Sequence, residues 1–186
     1  MNAPFRSILK KSEIGHLIEV KRSLKDVETI RGFLVASSDS LLLFHRLDSE
    51  VFQLNGYTVI RDEDISRYRV LTAGSWEARA LSHYRIKPKC PTGISIVSFP
   101  ELLKSVAAHY PLMVFHPERR KPDVCYIGPL VSMTERTFTI EDLNSDGKWS
   151  GPRRMRFGDI SRIDFGGGYE SALAVTAPNR TRARKR

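Results

Sequence analysis

Apolar and polar residues alternate along two stretches of the chain, and this alternation predicts short β-strands. The first stretch predicts five strands, near residues 16–22, 28–37, 40–46, 57–61 and 65–70. The second predicts five more, near residues 111–116, 123–133, 136–142, 152–157 and 160–165. Turn-forming segments such as Asn-Ser-Asp-Gly at 144–147 separate the strands. The chain is therefore expected to be mainly β.

Three short helices are predicted outside the strands. Ser98 and Glu101 form a capping box with Pro100 in the first turn, which predicts a helix from residue 98 to about residue 109. Apolar residues within 5–9 predict a shorter helix before the first set of strands, and another is expected near 76–84. Each set of five strands thus follows a short helix.

The two stretches share an internal repeat. Gly-Phe-Leu-Val at 32–35 recurs as Gly-Pro-Leu-Val at 128–131, and Asp-Ile-Ser-Arg at 64–67 recurs unchanged at 159–162. These matches keep their order and a separation of about 95 residues, which favours a duplication. Five such short strands are expected to bend around one small core and form a small barrel, with Gly32 and Gly128 where the long second strand bends.

The repeat predicts four segments along the chain. Residues 1–71 form a first barrel with its N-terminal helix, and residues 72–97 form a linker. Residues 98–166 form a second barrel with its leading helix, and residues 167–186 form a basic, disordered tail.

A short helix, five bent strands and a Gly-x-Leu element in the second strand together resemble the Sm-like fold, a small barrel of the SH3-like kind. The resemblance covers residues 4–71 and 98–166 and implies two tandem barrels. The residues that form the RNA pocket of Sm-like proteins are not matched, so the resemblance implies the fold and carries over no uridine-binding residues.

Sm-like barrels often associate through strand four of one and strand five of the next. A covalent tandem is expected either to make this contact internally, as a pseudo-dimer, or to keep two separated barrels.

A second resemblance concerns an arginine pair and a later Asp-Ile-Ser segment. Arg119-Arg120 followed by Asp159-Ile160-Ser161 resembles the motif of PilZ-type cyclic-dinucleotide receptors. The same Asp-Ile-Ser-Arg also occurs in the first copy, where no arginine pair precedes it, so a repeated junction between turn and strand explains it better.

The formal charge of +9 is concentrated outside the strands. Five basic residues lie in the tail against the single carboxylate of Glu170, and they are Arg180, Arg182, Arg184, Lys185 and Arg186. No apolar run approaches the roughly 20 residues of a membrane-spanning helix, and no secretory signal is evident. A cytoplasmic protein with no membrane contact is expected.

One basic cluster lies within the second set of strands, where Trp149, Arg153, Arg154 and Arg156 fall within eight residues. Aromatic and arginine side chains together can stack on bases and neutralise phosphates. Alternation places Arg154 and Arg156 on the opposite face of the strand from Met155. The same residues therefore also fit a solvated strand face, with Trp149 covering one end of the barrel.

No catalytic, metal or cofactor site is predicted. The five histidines form no metal-binding motif, and Cys125 is expected to face the core as a free thiol. Paired acids such as Asp62 with Asp64 are expected to be solvated, and the glycines at 166–168 to form a flexible exit with no helix after it.

The leading hypothesis is a non-enzymatic binding module that acts as a protein-interaction or scaffold unit. The alternative is non-specific RNA or DNA binding through the tail and the arginine strand, and a PilZ-like receptor is the minor one.

Overall fold

The computed structural model describes residues 13–177. The chain is mainly β in this range, with eleven strands and three helices. The strands are β1 (Leu17–Arg22), β2 (Ile30–Ser37), β3 (Leu41–Asp48), β4 (Gln53–Arg61), β5 (Ile65–Val70), β6 (Met113–His116), β7 (Tyr126–Gly128), β8 (Leu130–Met133), β9 (Thr137–Leu143), β10 (Trp149–Arg156) and β11 (Arg162–Phe165). The helices are α1 (Trp76–His83), α2 (Phe99–His109) and α3 (Gly168–Thr176).

Most predicted elements coincide with these bounds. The strand predicted near 65–70 is β5, and the predicted capping box begins α2, where the Ser98 hydroxyl accepts a hydrogen bond from the Glu101 amide. The strand predicted over 123–133 is divided into β7 and β8, which flank Pro129. Proline has no N–H to contribute to a β-ladder, so it interrupts the strand.

All strands pair antiparallel in one sheet, and the two halves have the same internal order. In the first half the neighbours run β5-β1-β2-β3-β4, and in the second half they run β11-β6-β7-β9-β10. A 3₁₀ turn precedes the last strand in both halves, at Asp62–Asp64 and Phe157–Asp159. The repeated Asp-Ile-Ser-Arg therefore marks the same junction twice.

The two halves are joined by direct pairing of β4 with β11. Arg162 lies opposite Ile60 and Phe165 lies opposite Tyr57, while the other edge of β11 pairs with β6. This contact joins strand four of one half to strand five of the other. A closed pseudo-dimer of two barrels stays a prediction.

The largest apolar cluster takes side chains from both halves. Leu43 and Val59 come from the first half, and Leu103, Phe115 and Ile163 come from the second. All five are almost fully buried. Hydrophobic burial thus stabilises the junction as well as each half.

Helix α3 corrects the expectation of a flexible exit after the glycines at 166–168. The helix begins at Gly168, and Leu173 is buried against Leu112, Val114 and Leu143. The apolar face of α3 is short, so the periodicity of apolar residues in this segment is too weak to predict a helix. The predicted helix at 5–9 and the basic residues at 180–186 lie outside the described residues.

Gly32 and Gly128 have the same structural role in the two halves. A Cβ at Gly32 would lie 2.5 Å from the His45 carbonyl oxygen, and a Cβ at Gly128 would lie 2.0 Å from that of Glu141. In each half the second strand crosses so close to the third that a side chain cannot fit. The repeated glycines are therefore required by packing of backbone against backbone.

Candidate nucleic-acid interface

A groove of about 830 Å³ lies between strand β10 and the turn that follows β6. Its charged lining residues are Arg120, Lys121, Arg153, Arg154, Arg156 and Asp159. Five cationic side chains and one carboxylate thus line the groove, and we call this feature the basic groove. The sequence predicted the three arginines of β10 for this site. Arg120 was named only for the PilZ resemblance and Lys121 not at all, because they approach from a turn more than 30 residues earlier.

The alternation predicted for β10 is present. Met155 is buried, whereas Arg154 and Arg156 are exposed. The Arg154 Nε donates a hydrogen bond to the Thr137 hydroxyl at 3.1 Å on the neighbouring strand. The Arg156 backbone pairs with Thr137 in the ladder. Within residues 13–177, its side chain forms neither a hydrogen bond nor an ion pair. Its charge is therefore not neutralised by this part of the chain.

Arg153 is held more firmly than its two neighbours. Its Nε donates a hydrogen bond to the Asp142 Oδ2 at 2.8 Å, its Nη2 forms an ion pair with the same oxygen at 2.8 Å, and Asp142 is buried. The guanidinium carbon lies 4.0 Å from the centre of the Tyr126 ring, within the range of a cation–π interaction. The ring and the carboxylate together fix the guanidinium plane beside the groove.

The turn after β6 supplies the other cations. Arg120 forms an ion pair with Asp159 at 3.1 Å and stays 63% exposed. Arg119 points elsewhere, and its guanidinium contacts Glu63 and the Asp64 Oδ1, the latter at 2.8 Å. The two arginines that carried the PilZ resemblance are thus both engaged by carboxylates of this chain.

Asp64 corrects a second expectation, because this carboxyl group is buried rather than solvated. Burial raises its pKa above the usual value, although Arg119 opposes the shift. Asp62 is buried as well. Acidic residues in a turn usually face water, and here the turn is covered by the second half of the chain.

The structure does not bring Trp149 to the basic groove. The indole packs against the cluster that contains Leu143 and Leu173, at the opposite end of β10 from Arg156. Its role is therefore to cover apolar side chains, the alternative that the sequence left open. The predicted basic tail residues, from Arg180 to Arg186, lie beyond the part of the chain that the structure describes.

A second polar cluster lies where the halves meet, and we call it the junction network. The Arg22 guanidinium forms a buried, two-point ion pair with Glu118, in which Nη2 lies 2.9 Å from Oε1. The Ser161 hydroxyl donates to the same carboxylate at 2.6 Å. Burial alone would raise the pKa of Glu118, but the hydrogen bonds from Arg22 and Ser161 lower it.

Asp164 is the second centre of the junction network. Its carboxylate accepts a hydrogen bond from the Thr58 hydroxyl at 2.8 Å and contacts the His116 Nε2 at 2.9 Å. The Arg162 Nε lies 3.3 Å away. Burial opposes ionisation, yet Arg162 and His116 hold the pKa of Asp164 well below its usual range. The charged pair in β11 interrupts an apolar strand, and this was the one sequence signal for the network.

A cleft of about 650 Å³ opens beside the junction network and is lined by Arg46, His116, Arg162 and Asp164. Arg46, His116 and Arg162 each contact the Asp164 carboxylate. Cys125 also lines the cleft and is exposed, so its predicted place in the core is wrong. The side chain lies just before β7, outside the alternation of the strand.

Comparison with known proteins gives no match. No family model, no curated protein and no solved structure is significantly similar to the chain. Among residues 13–177, no three histidine, cysteine or acidic side chains are grouped so as to hold a metal ion. The three helices described here are all too short to cross a membrane.

Proposed function

We propose that the protein is a non-enzymatic binding module whose basic groove binds the phosphate backbone of nucleic acid. The observation that carries this proposal is the convergence of five cations from two separate segments on a groove with one carboxylate. Binding of phosphates by lysine and arginine releases counterions and supplies most of the affinity in non-specific complexes. Successive exposed positions on β10 are about 7 Å apart, a spacing suited to following a backbone.

We also propose that each half is a small barrel of the Sm-like or SH3-like kind, and that the groove lies on the outer edge of the second. Support comes from the identical strand order in the two halves and from the shared glycine and 3₁₀ turn. In this arrangement the barrels form a scaffold, and the edge strand presents the arginines.

The decisive experiment compares nucleic-acid affinity across a salt series for two double variants. Arg154→Gln with Arg156→Gln removes two charges from the groove. Arg67→Gln with Arg69→Gln removes two charges from β5, at the opposite edge of the sheet. We expect the groove variant to bind more weakly and the slope of log affinity against log salt to fall by about 0.7 for each lost phosphate contact on a single strand. Equal losses in both variants contradict the groove as the binding site.

Truncation separates the groove from the tail. The chain should end at Ala177, because a chain that ends at Gly168 would also remove helix α3 and its buried Leu173. If the groove is the main site, the truncated chain keeps most of its affinity. Loss of all binding in the truncated chain assigns the function to residues 178–186 instead.

A second candidate function is protein binding at β5. Within the described range this strand pairs with β1 alone, so its other edge is open to strand addition. A cavity of about 330 Å³ beside it is lined by Glu19, Lys21, Arg67, Tyr68 and Arg69. An extended peptide of alternating glutamate and valine is expected to slow hydrogen exchange of the β5 amides. Unchanged exchange at saturating peptide contradicts this candidate.

A further inference from the structure

The fixed guanidinium of Arg153 distinguishes the basic groove from a simple patch of positive charge. One of its faces is covered by the Tyr126 ring, and its edge is held by Asp142 through a hydrogen bond from Nε and an ion pair with Nη2. The side chain is nevertheless 39% exposed and lines the groove. The group is thus a flat, preorganised surface whose remaining face is open to a ligand.

We propose that a nucleobase stacks on the open face of Arg153 and that the groove therefore selects single-stranded over double-stranded nucleic acid. Guanidinium planes and aromatic rings are the surfaces on which proteins stack unpaired bases. In a duplex the base faces are occupied by neighbouring bases, so they cannot reach Arg153. This proposal rests on the proposed function of the groove and names its substrate class.

The cations around Arg153 fit this arrangement. Arg154 and Arg156 project from the exposed face of β10, and Arg120 and Lys121 line the groove from the turn after β6. A base on Arg153 thus has cationic groups on two sides for the phosphates that flank it. The buried Asp142 keeps the guanidinium from following a phosphate, which leaves it available for stacking.

The test replaces Arg153 with lysine, which keeps the charge and removes the plane. The probes are a single-stranded oligothymidylate and heparin, a polyanion that has no bases. We expect Arg153→Lys to weaken oligothymidylate binding about tenfold, as for the loss of one stacked base, and to leave heparin binding and its salt slope unchanged. The matched control is Arg31→Lys, which should change neither, because the Arg31 Nε also donates to a carboxylate, that of Glu19 at 2.7 Å, but the side chain lies outside the basic groove.

The outcomes separate this inference from the proposed function. Equal effects of Arg153→Lys on both probes, or no effect on either, overturn the stacking inference and leave phosphate binding intact. If the native chain binds neither oligothymidylate nor heparin, the proposed function itself is overturned. Since Arg153→Lys also alters the contact with Asp142, the native chain is tested independently with a strand of the same length made of abasic sugar-phosphate units. Binding about tenfold weaker than to oligothymidylate is expected, and equal affinity for the two strands overturns the inference.

Discussion

Arg22 and Glu118 lie 96 residues apart in the sequence and form a buried ion pair between the two halves. Their side chains are 0% and 4% exposed. Arg22 is the last residue of β1, and Glu118 lies in the turn that also supplies Arg120 and Lys121 to the basic groove. The ion pair therefore fixes the position of a groove-lining segment relative to the first half.

Glu118→Gln is expected to lower the free energy of unfolding by about 3–5 kcal/mol, because it leaves the Arg22 charge buried without a counter-charge. Urea unfolding at neutral pH measures this change. The control is Glu63→Gln, which breaks an ion pair of Arg119 at a half-exposed carboxylate and should cost about 1 kcal/mol or less. Equal costs in the two variants would show that the buried pair contributes no more than a surface one.

The junction network also predicts how stability depends on pH. The folded state lowers the pKa of both Glu118 and Asp164, so the unfolded chain binds more protons between the folded and unfolded pKa values. Their contribution is fully present above about pH 5 and is lost as the pH falls below about 4. Urea unfolding at a series of pH values should show this loss.

The variant Asp164→Asn separates Asp164 from the other carboxylates in the acid range. It should be less stable than the native chain at neutral pH, and its stability should fall less steeply below about pH 4. An unchanged slope would mean that other acidic groups account for the acid sensitivity.

Gly128→Ala is expected to destabilise the fold by about 1–3 kcal/mol, the usual cost of overpacking. The added Cβ would lie 2.0 Å from the Glu141 carbonyl oxygen, so two strands must separate. Gly158→Ala is the matched control, since a Cβ there meets no described atom within 4 Å. Thermal unfolding of both variants measures the difference, and similar melting temperatures would contradict the close crossing of β7 and β9.

Most strand bounds could be anticipated from the sequence, since alternation and turn residues are local signals. The repeat of Asp-Ile-Ser-Arg and the two glycines indicated that the halves share a topology. The junction network could not be anticipated, because a charged residue such as Arg22 on a strand is usually solvent-facing. Its burial depends on a partner from the other half. The fixed position of Arg153 likewise depends on the Tyr126 ring, which comes from β7 and not from the hairpin of β9 and β10 that brings Asp142 close.

The outer edge at β10 is expected to resist pairing with a second copy of the chain. Residues 57–60 of β4, Tyr-Thr-Val-Ile, pair with β11, whereas the repeat places Pro-Arg-Arg-Met at 152–155 of β10. Proline and like charges protect an edge from pairing with a copy of itself. The exposed arginines at positions 67 and 69 of β5 likewise disfavour a second β5 edge, although they do not repel an acidic peptide. We expect a monomer in sedimentation at moderate protein concentration.

Replacing Pro152 with tyrosine and Arg154 with valine restores the β4 pattern on β10. This double variant should self-associate with increasing concentration, because its outer edge then resembles the one that pairs inside the chain. A double variant that stays monomeric, together with a native chain that forms oligomers, would show that the edge residues do not control assembly.

The pairing of β4 with β11 has a consequence for synthesis on the ribosome. Strand β4 ends at Arg61, and its partner begins at Arg162, about 100 residues later. At the usual rate of translation this interval lasts roughly 5 to 20 s. Throughout it the apolar edge around Val59 and Ile60 has no partner strand, and an uncovered edge invites pairing with other chains. A nascent chain that terminates before Arg162 would keep this edge permanently, so premature stops late in the message should yield aggregates rather than a folded first half.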